Sequence, residues 1–266
     1  VDDSTATGSR KGRNELRRGL SSRELEELAE RTNQAIHRGV TWLLAMQSQD
    51  GGWAAFDRDN RCAILTKVPF ADHNAMIDPS TPDITGRVLE ALGTLGYRLG
   101  FPKVDRAVAF LRRTQEPDGS WFGRWGVNYI YGTWLALSGL RAVGVAENDP
   151  AVVSGANWLL SHQLPDGGWG ESPATYDHPH LRGGGPSTPS QTAWAILGLL
   201  AAGKNDHPAV LRGVRYLLDH QSSDGSWEES AFTGTGFPRE FYLRYHMYPL
   251  YFPLLALGRF VRVNAD

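Results

Sequence analysis

Gln47-Ser-Gln-Asp50-Gly51-Gly-Trp53 decides the fold, because three more stretches stand in the same register. They are Gln115-Glu-Pro-Asp118-Gly119-Ser-Trp121, Gln163-Leu-Pro-Asp166-Gly167-Gly-Trp169 and Gln221-Ser-Ser-Asp224-Gly225-Ser-Trp227. Upstream of each lies a matching stretch: Arg38-Gly39…Trp42-Leu43, Arg106-Ala107…Phe110-Leu111, Gly155-Ala156…Trp158-Leu159 and Arg212-Gly213…Tyr216-Leu217. Four copies in register are an internal repeat, and a repeat of this size sets the whole architecture.

Within each copy the apolar residues fall at helical spacing, as in Val40, Trp42, Leu43, Met46 or Val153, Ala156, Leu159, Leu160. The helix is expected to stop at the Asp-Gly turn, where glycine takes positive φ at little cost. The tryptophan then covers the neighbouring glutamine or the next helix. An amide face against an indole, with amide hydrogen bonds to a helix end, clips adjacent helices together. The rival role for these tryptophans is a stacking platform for sugars or bases. Second apolar helices are predicted over 83–97, 129–143, 191–202 and 241–260, which makes four helix pairs. The repeat tryptophans lie 68, 48 and 58 residues apart, so the loops differ between pairs. Unequal loops on a repeating scaffold commonly carry function.

A chain of 266 residues can bury one sizeable core. Its net charge of −2 gives no footing for a nucleic-acid partner. The lone Cys62 excludes an internal disulfide and fits a reducing compartment. The apolar stretches around 193–202 and 248–257 are too short to span a bilayer. Residues 1–20 are polar and read as a loosely ordered segment, and 21–266 as one helical domain. Ser21 with Glu24 forms a capping-box pattern that opens a charged helix. The chain begins with Val1, which reads as a fragment or a processed product.

Four constellations could carry chemistry. Phe241, Tyr245 and Tyr248 stand at i, i+4, i+7, one face of a predicted helix with Phe237 just before it. That stripe is either core or a pocket wall whose π faces stabilise a cation. Trp121-Phe-Gly-Arg124-Trp125-Gly-Val-Asn128-Tyr129-Ile-Tyr131 crowds aromatics at a helix start, as pocket lining or as packing. Asp72-His73, Asp78 and Asp83 form an acidic stretch, with Asp83 and Arg87 spaced for an ion pair at a helix start. At the amino terminus, Asp2-Asp3 is either solvated charge or a pair in which one carboxyl keeps its proton and serves as a Brønsted acid. No zinc-ligand spacing, phosphate loop, dinucleotide fingerprint or nucleophile elbow is present.

The repeats, together with Phe122-Gly-Arg-Trp-Gly-Val-Asn-Tyr129, Ser187-Thr-Pro-Ser-Gln-Thr-Ala-Trp194 and Gly234-Thr-Gly-Phe-Pro238, resemble the bacterial squalene–hopene cyclases. These are class II triterpene cyclases, and the resemblance covers about Trp42 to Phe260. It implies an all-α fold, an incomplete α6/α6 barrel (an α/α toroid) with four QW repeats, as the carboxy-terminal half of a longer enzyme. It implies protonation of a squalene alkene by an aspartic acid, then a carbocation cascade to hopene- or hopanol-type products, with no metal and no cofactor.

Position by position, the resemblance makes Asp2 the proton donor and Asp3 its partner. Phe56 falls at a pocket ring, Asp78 and Asp83 at acidic positions near the acid motif, and Arg87 where some members have a histidine paired with the acid. Trp125, Phe237, Phe241, Tyr245 and Tyr248 match the cation-stabilising wall, with Tyr131 near it. His73 stands where some members carry phenylalanine. The implied partners are squalene or a related polyprenoid and a membrane surface, bound monotopically on the cytoplasmic side of the cell membrane. The resemblance also allows a homodimer at full length, and it implies that this chain alone is inactive. Two alternatives stand beside this reading: a class II cyclase for another polyprenoid, and a non-catalytic α-toroid interaction module. A prenyltransferase-like barrel would need zinc ligands that this chain lacks.

Overall fold

The computed structural model describes residues 21–62 and 76–265, so Asp2, Asp3, Asp72 and His73 lie outside the described residues. The chain divides into two units at Ala45–Met46. The first contains helix α1 (Ser22–Ala45). Its capping box forms as expected: the Ser21 amide donates to Glu24 Oε2 at 2.7 Å and the Glu24 amide to Ser21 Oγ at 3.3 Å.

The second unit contains α2 (Pro82–Thr94), α3 (Pro102–Thr114), α4 (Tyr129–Ala142), α5 (Pro150–Ser161), α6 (Pro189–Ala201), α7 (Pro208–Asp219) and α8 (Tyr248–Val263). A proline opens α2, α3, α5, α6 and α7, a position where its missing N–H costs nothing. Helices α2, α4, α6 and α8 pack side by side in chain order as an inner layer. The repeat helices α3, α5 and α7 lie against them as an outer layer. The burial follows: α4 and α6 bury almost every residue, whereas α3 buries one face, Val104, Ala107, Val108, Phe110 and Leu111. Within the second unit these helices form an arc of paired inner and outer layers.

The repeat supplies the joints of this arc. At the four turns Gly51, Gly119, Gly167 and Gly225 take φ between 87° and 98°, as the Asp-Gly pattern predicts. In the first three repeats the glutamine amide reaches across the turn and clips the next outer helix, while Gln221 Nε2 makes the turn bond to Gly225 O at 2.9 Å. Gln115 Nε2 donates to Gly119 O and to Ala151 O, at 2.8 and 3.0 Å, and Gln163 Nε2 to Gly167 O and Ala209 O, both at 2.8 Å. Three of the indoles cap the end of their own outer helix: Trp121 Nε1 donates to Leu111 O at 2.7 Å, Trp169 Nε1 to Leu159 O at 2.8 Å and Trp227 Nε1 to Leu217 O at 2.7 Å. The main-chain N–H of Trp53, Trp121 and Trp169 is taken by Thr85, Thr133 and Thr192 of the inner helices, at 2.9, 3.0 and 2.9 Å. These four tryptophans are buried, which is the structural role and not a stacking platform.

The indoles lie against the next outer helix at glycine. A Cβ on Gly155 would stand 2.6 Å from Trp121 Cζ3, and one on Gly213 2.7 Å from Trp169 Cζ3. Gly213→Val is therefore expected to lower stability by about 1–3 kcal/mol through overpacking. A shifted denaturant midpoint at unchanged slope would report it, and an unshifted midpoint would contradict this packing.

One predicted element is corrected. The stretch expected as a helix over 241–260 is a hairpin followed by a shorter helix: β1 (Gly234–Phe237) pairs antiparallel with β2 (Phe241–Leu243), and α8 begins at Tyr248. The ladder with 234–237 holds 241–243 extended, and Pro249 then falls in the first turn of α8, where its missing N–H costs nothing. The turn is made by Arg239 at φ 74°, a conformation a helix cannot contain. Phe241, Tyr245 and Tyr248 therefore do not share a helix face.

Candidate active site

Asp83 is the acidic centre of the described site. It is fully buried at the start of α2, and its Oδ2 accepts the main-chain N–H groups of Arg124 and Trp125, both at 2.9 Å. Its Oδ1 accepts the Ile84 amide at 2.9 Å and the Thr81 hydroxyl. The expected ion pair with Arg87 is not made. Arg87 instead pairs with Glu90 at 3.1 Å and lays its guanidinium 4.8 Å from the centre of the Trp134 ring. The carboxylate is spent on fixing the loop that carries Trp125. Asp78 does the same for another loop: it accepts the amides of Ala55, Phe56 and Asp57 at 3.3, 2.5 and 2.8 Å.

Around this centre the rings run in two series, edge-to-face at every contact but the tilted Tyr245–Tyr248 pair. Phe56 meets Trp125 at 5.7 Å between centroids, Trp125 meets Phe237 at 6.1 Å, and Phe237 meets Phe241 at 5.8 Å. In the second series Tyr131 meets Trp194 at 4.8 Å, Trp194 meets Tyr248 at 5.8 Å, and Tyr248 meets Tyr245 at 4.7 Å. The series are joined by a bridge between Gly126 and Gly234. Tyr131 lies over Gly126 and Tyr245 over Gly234, where added Cβ atoms would come within 2.6 and 2.4 Å of those rings. The hairpin thus brings Phe237, Phe241 and Tyr245 to the wall that a helix was expected to form. Several rings keep open surface: Phe56 is 71% exposed, Phe241 40% and Tyr245 41%. A cleft of about 430 Å³ opens beside Phe237, between Phe122, Arg124, Tyr176 and Arg239.

Every expected ring among the described residues joins this wall, and Asp83 lies under it. Sequence reasoning missed Trp194, Trp134 and Phe252, which extend it: Trp134 stacks on Trp194 at 6.2 Å, and Phe252 meets both at 5.4 Å. Trp194 stood within a quoted motif, and the signal overlooked was an indole on an inner helix, away from any repeat turn. Burial pushes the Tyr131 and Tyr248 hydroxyls well above their ordinary range, so both rings stay neutral. Among the described residues no cluster of three or more His, Cys, Asp or Glu is placed to hold a metal ion.

Three buried carboxyls, Asp83, Glu171 and Glu229, are pushed upward by burial, against the pull of their hydrogen bonds. A carboxyl whose folded pKa is raised binds its proton more tightly folded than unfolded. That stabilisation is full below the ordinary carboxyl range and is lost as pH rises through the raised values. Thermal unfolding is therefore expected at a higher temperature at pH 5 than at pH 7.5, with a weaker dependence in Glu229→Gln. A midpoint that rises with pH over this range would contradict it.

Paired inner and outer helices with a ring-lined face define the toroid scaffold of the terpene cyclases. The solved type II terpene cyclase MstE from Scytonema has this fold: 20% identity, TM-score 0.56, covering 84% of this chain and 66% of that one. The particular family follows from sequence. The squalene–hopene cyclase C-terminal domain model matches residues 19–262, and the chain belongs to that family. It is 52% identical to a squalene–hopene cyclase of Bradyrhizobium diazoefficiens over 86% of this chain and 35% of that protein. It is 47% identical to a dammaradiene synthase of Dryopteris crassirhizoma over 86% of this chain and 37% of that one. The chain thus spans about a third of the length of these relatives.

Proposed function

We propose that these residues form the cation-stabilising part of a triterpene cyclase that converts squalene to hopene- or hopanol-type products. The observation that carries this reading is the joined series of rings, from Phe56 to Phe241 and from Tyr131 to Tyr245, around the buried Asp83. A migrating carbocation has no counter-ion to follow it. Ring faces offer fixed negative potential along its path without a nucleophile that would quench it. Asp83 acts on the wall by positioning Trp125. The initiating proton is assigned, on the family resemblance, to Asp2 with Asp3 as its partner, and Arg87 to the role of a supporting fixed positive charge; Asp78 supports Phe56, whose amide it accepts.

The activity is proposed for a whole enzyme to which this chain contributes its carboxy-terminal part, and the 266 residues alone are expected to turn over nothing. Squalene is so apolar that it resides in lipid, which supports a monotopic seat on a membrane, and the resemblance assigns that seat to the cytoplasmic side of the cell membrane. No described helix is long and apolar enough to cross that membrane. The 47% identity to a dammaradiene synthase supports a second product class on the same wall.

A cation mimic tests the wall. A polyprenoid with a tertiary ammonium group is expected to bind the full-length gene product at least about 10-fold tighter than its neutral isostere, since ring faces reward the charge. Equal affinities would sink the reading.

A further inference from the structure

One short stretch, 123–130, carries Trp125 and leads into Tyr131, and buried carboxylates from two different repeats hold it. Asp83 takes the amides of Arg124 and Trp125. Glu171, two residues after Trp169, takes the next ones: its Oε2 accepts Asn128 N at 3.1 Å and Ile130 N at 3.0 Å. Asn128 is the N-cap residue of α4, yet its own side chain makes no cap bond. Its amide is used elsewhere, accepting from Gly123 N at 3.2 Å and donating to Thr175 Oγ1 at 3.2 Å. The cap that α4 lacks locally is supplied from more than forty residues away.

The supply line is itself braced. Gln191 Oε1 accepts Glu171 N at 3.0 Å, while Gln191 Nε2 donates to Glu171 O at 3.0 Å and to Val127 O at 2.8 Å. Tyr176 donates to Gly123 O and Gly126 O. Glu171 is 3% exposed and makes no ion pair among the described residues. An isolated buried carboxylate is costly, and a local Asn cap would be cheaper. Its use here is the register of 123–130: the remote cap frees Asn128 to close that loop on itself.

We propose that Glu171 is a positioning residue for the cyclisation, holding Trp125 and Tyr131 at their places in the ring wall through the 123–130 segment. The proposal rests on the reading of that wall as a cyclisation site, and it concerns a residue that touches no substrate.

The test uses the full-length gene product with Glu171→Ala, Glu171→Gln and, as a control, Gln163→Ala, which loosens a repeat joint with no bond to 123–130. Products from squalene, kcat and KM, and amide hydrogen exchange are measured. Glu171→Ala is expected to lower kcat about 10-fold or more at a KM within about twofold, and to shift products towards partly cyclised ones. Exchange at 128 and 130 should speed at least about tenfold. Glu171→Gln, whose amide oxygen still accepts, should restore most of the product profile, and it keeps the test alive if the alanine variant does not fold. Gln163→Ala should lose stability with the product profile unchanged. Wild-type products and protection in Glu171→Ala, or the same product shift in Gln163→Ala, would overturn the proposal. If the unaltered enzyme cyclises nothing, the reading of the wall fails and the catalytic meaning of the clamp with it. The exchange data would still report separately whether Glu171 holds the loop.

Discussion

Asp83→Ala is expected to abolish cyclisation and to be the most damaging single change in the described site. The substitution strands the amides of Ile84, Arg124 and Trp125, which the fully buried Asp83 accepts at 2.9 Å each. Unsatisfied buried donors cost about 1–3 kcal/mol each, and partial relaxation brings the expected total to about 3–5 kcal/mol. Trp125 would then leave its place between Phe56 and Phe237, and misplacing a reacting environment by even an ångström costs on the order of 100-fold in rate. Asp83→Asn separates the two effects. Its single oxygen can serve either the Arg124–Trp125 amides or the Thr81–Ile84 side, so roughly half the stability loss is expected on the same scale. Denaturant unfolding and product yield together check this. An Asp83→Ala enzyme with wild-type stability and yield would remove Asp83 from the account.

Trp125→Ala should change what is made as well as how fast. The indole links Phe56 to Phe237, and Arg124 stands over it at 5.5 Å. Losing one desolvated ring–cation contact of about 2 kcal/mol slows the step that uses it roughly 30-fold. Cations that reach the gap lose protons there, so early-terminated products should accumulate. Trp125→Phe keeps a smaller ring and should fall between. A helical module that only bound a partner would be indifferent to all of this, which makes the product profile the discriminating observation against that alternative.

The architecture was legible because it is written four times. A glycine that needs positive φ and a glutamine amide that closes the turn on its carbonyl are local demands, and each repeat states them again. The rings of the wall were legible as residues, by resemblance, but their placement was not. Phe241, Tyr245 and Tyr248 have helical spacing; the pairing of Gly234–Phe237 with Phe241–Leu243 is a contact that spacing does not encode. Asp83 with Arg87 shows the same limit. Their i, i+4 spacing invites an ion pair, yet amides of residues 124 and 125, about forty positions on, win the carboxylate. Glu171 was silent for a related reason. Its donors at 128 and 130 belong to another repeat, and its only sequence trace is that Glu229 stands at the same offset from its own tryptophan, where it accepts Ser190 N at 2.9 Å.

Incubating the full-length gene product with squalene in detergent or lipid, and analysing the extract by mass spectrometry, tests the central claim most directly. The account predicts a pentacyclic triterpene, with Trp125→Ala shifting the extract to partly cyclised compounds. Unchanged squalene from a folded full-length enzyme, or a product profile that ignores Trp125, would contradict it.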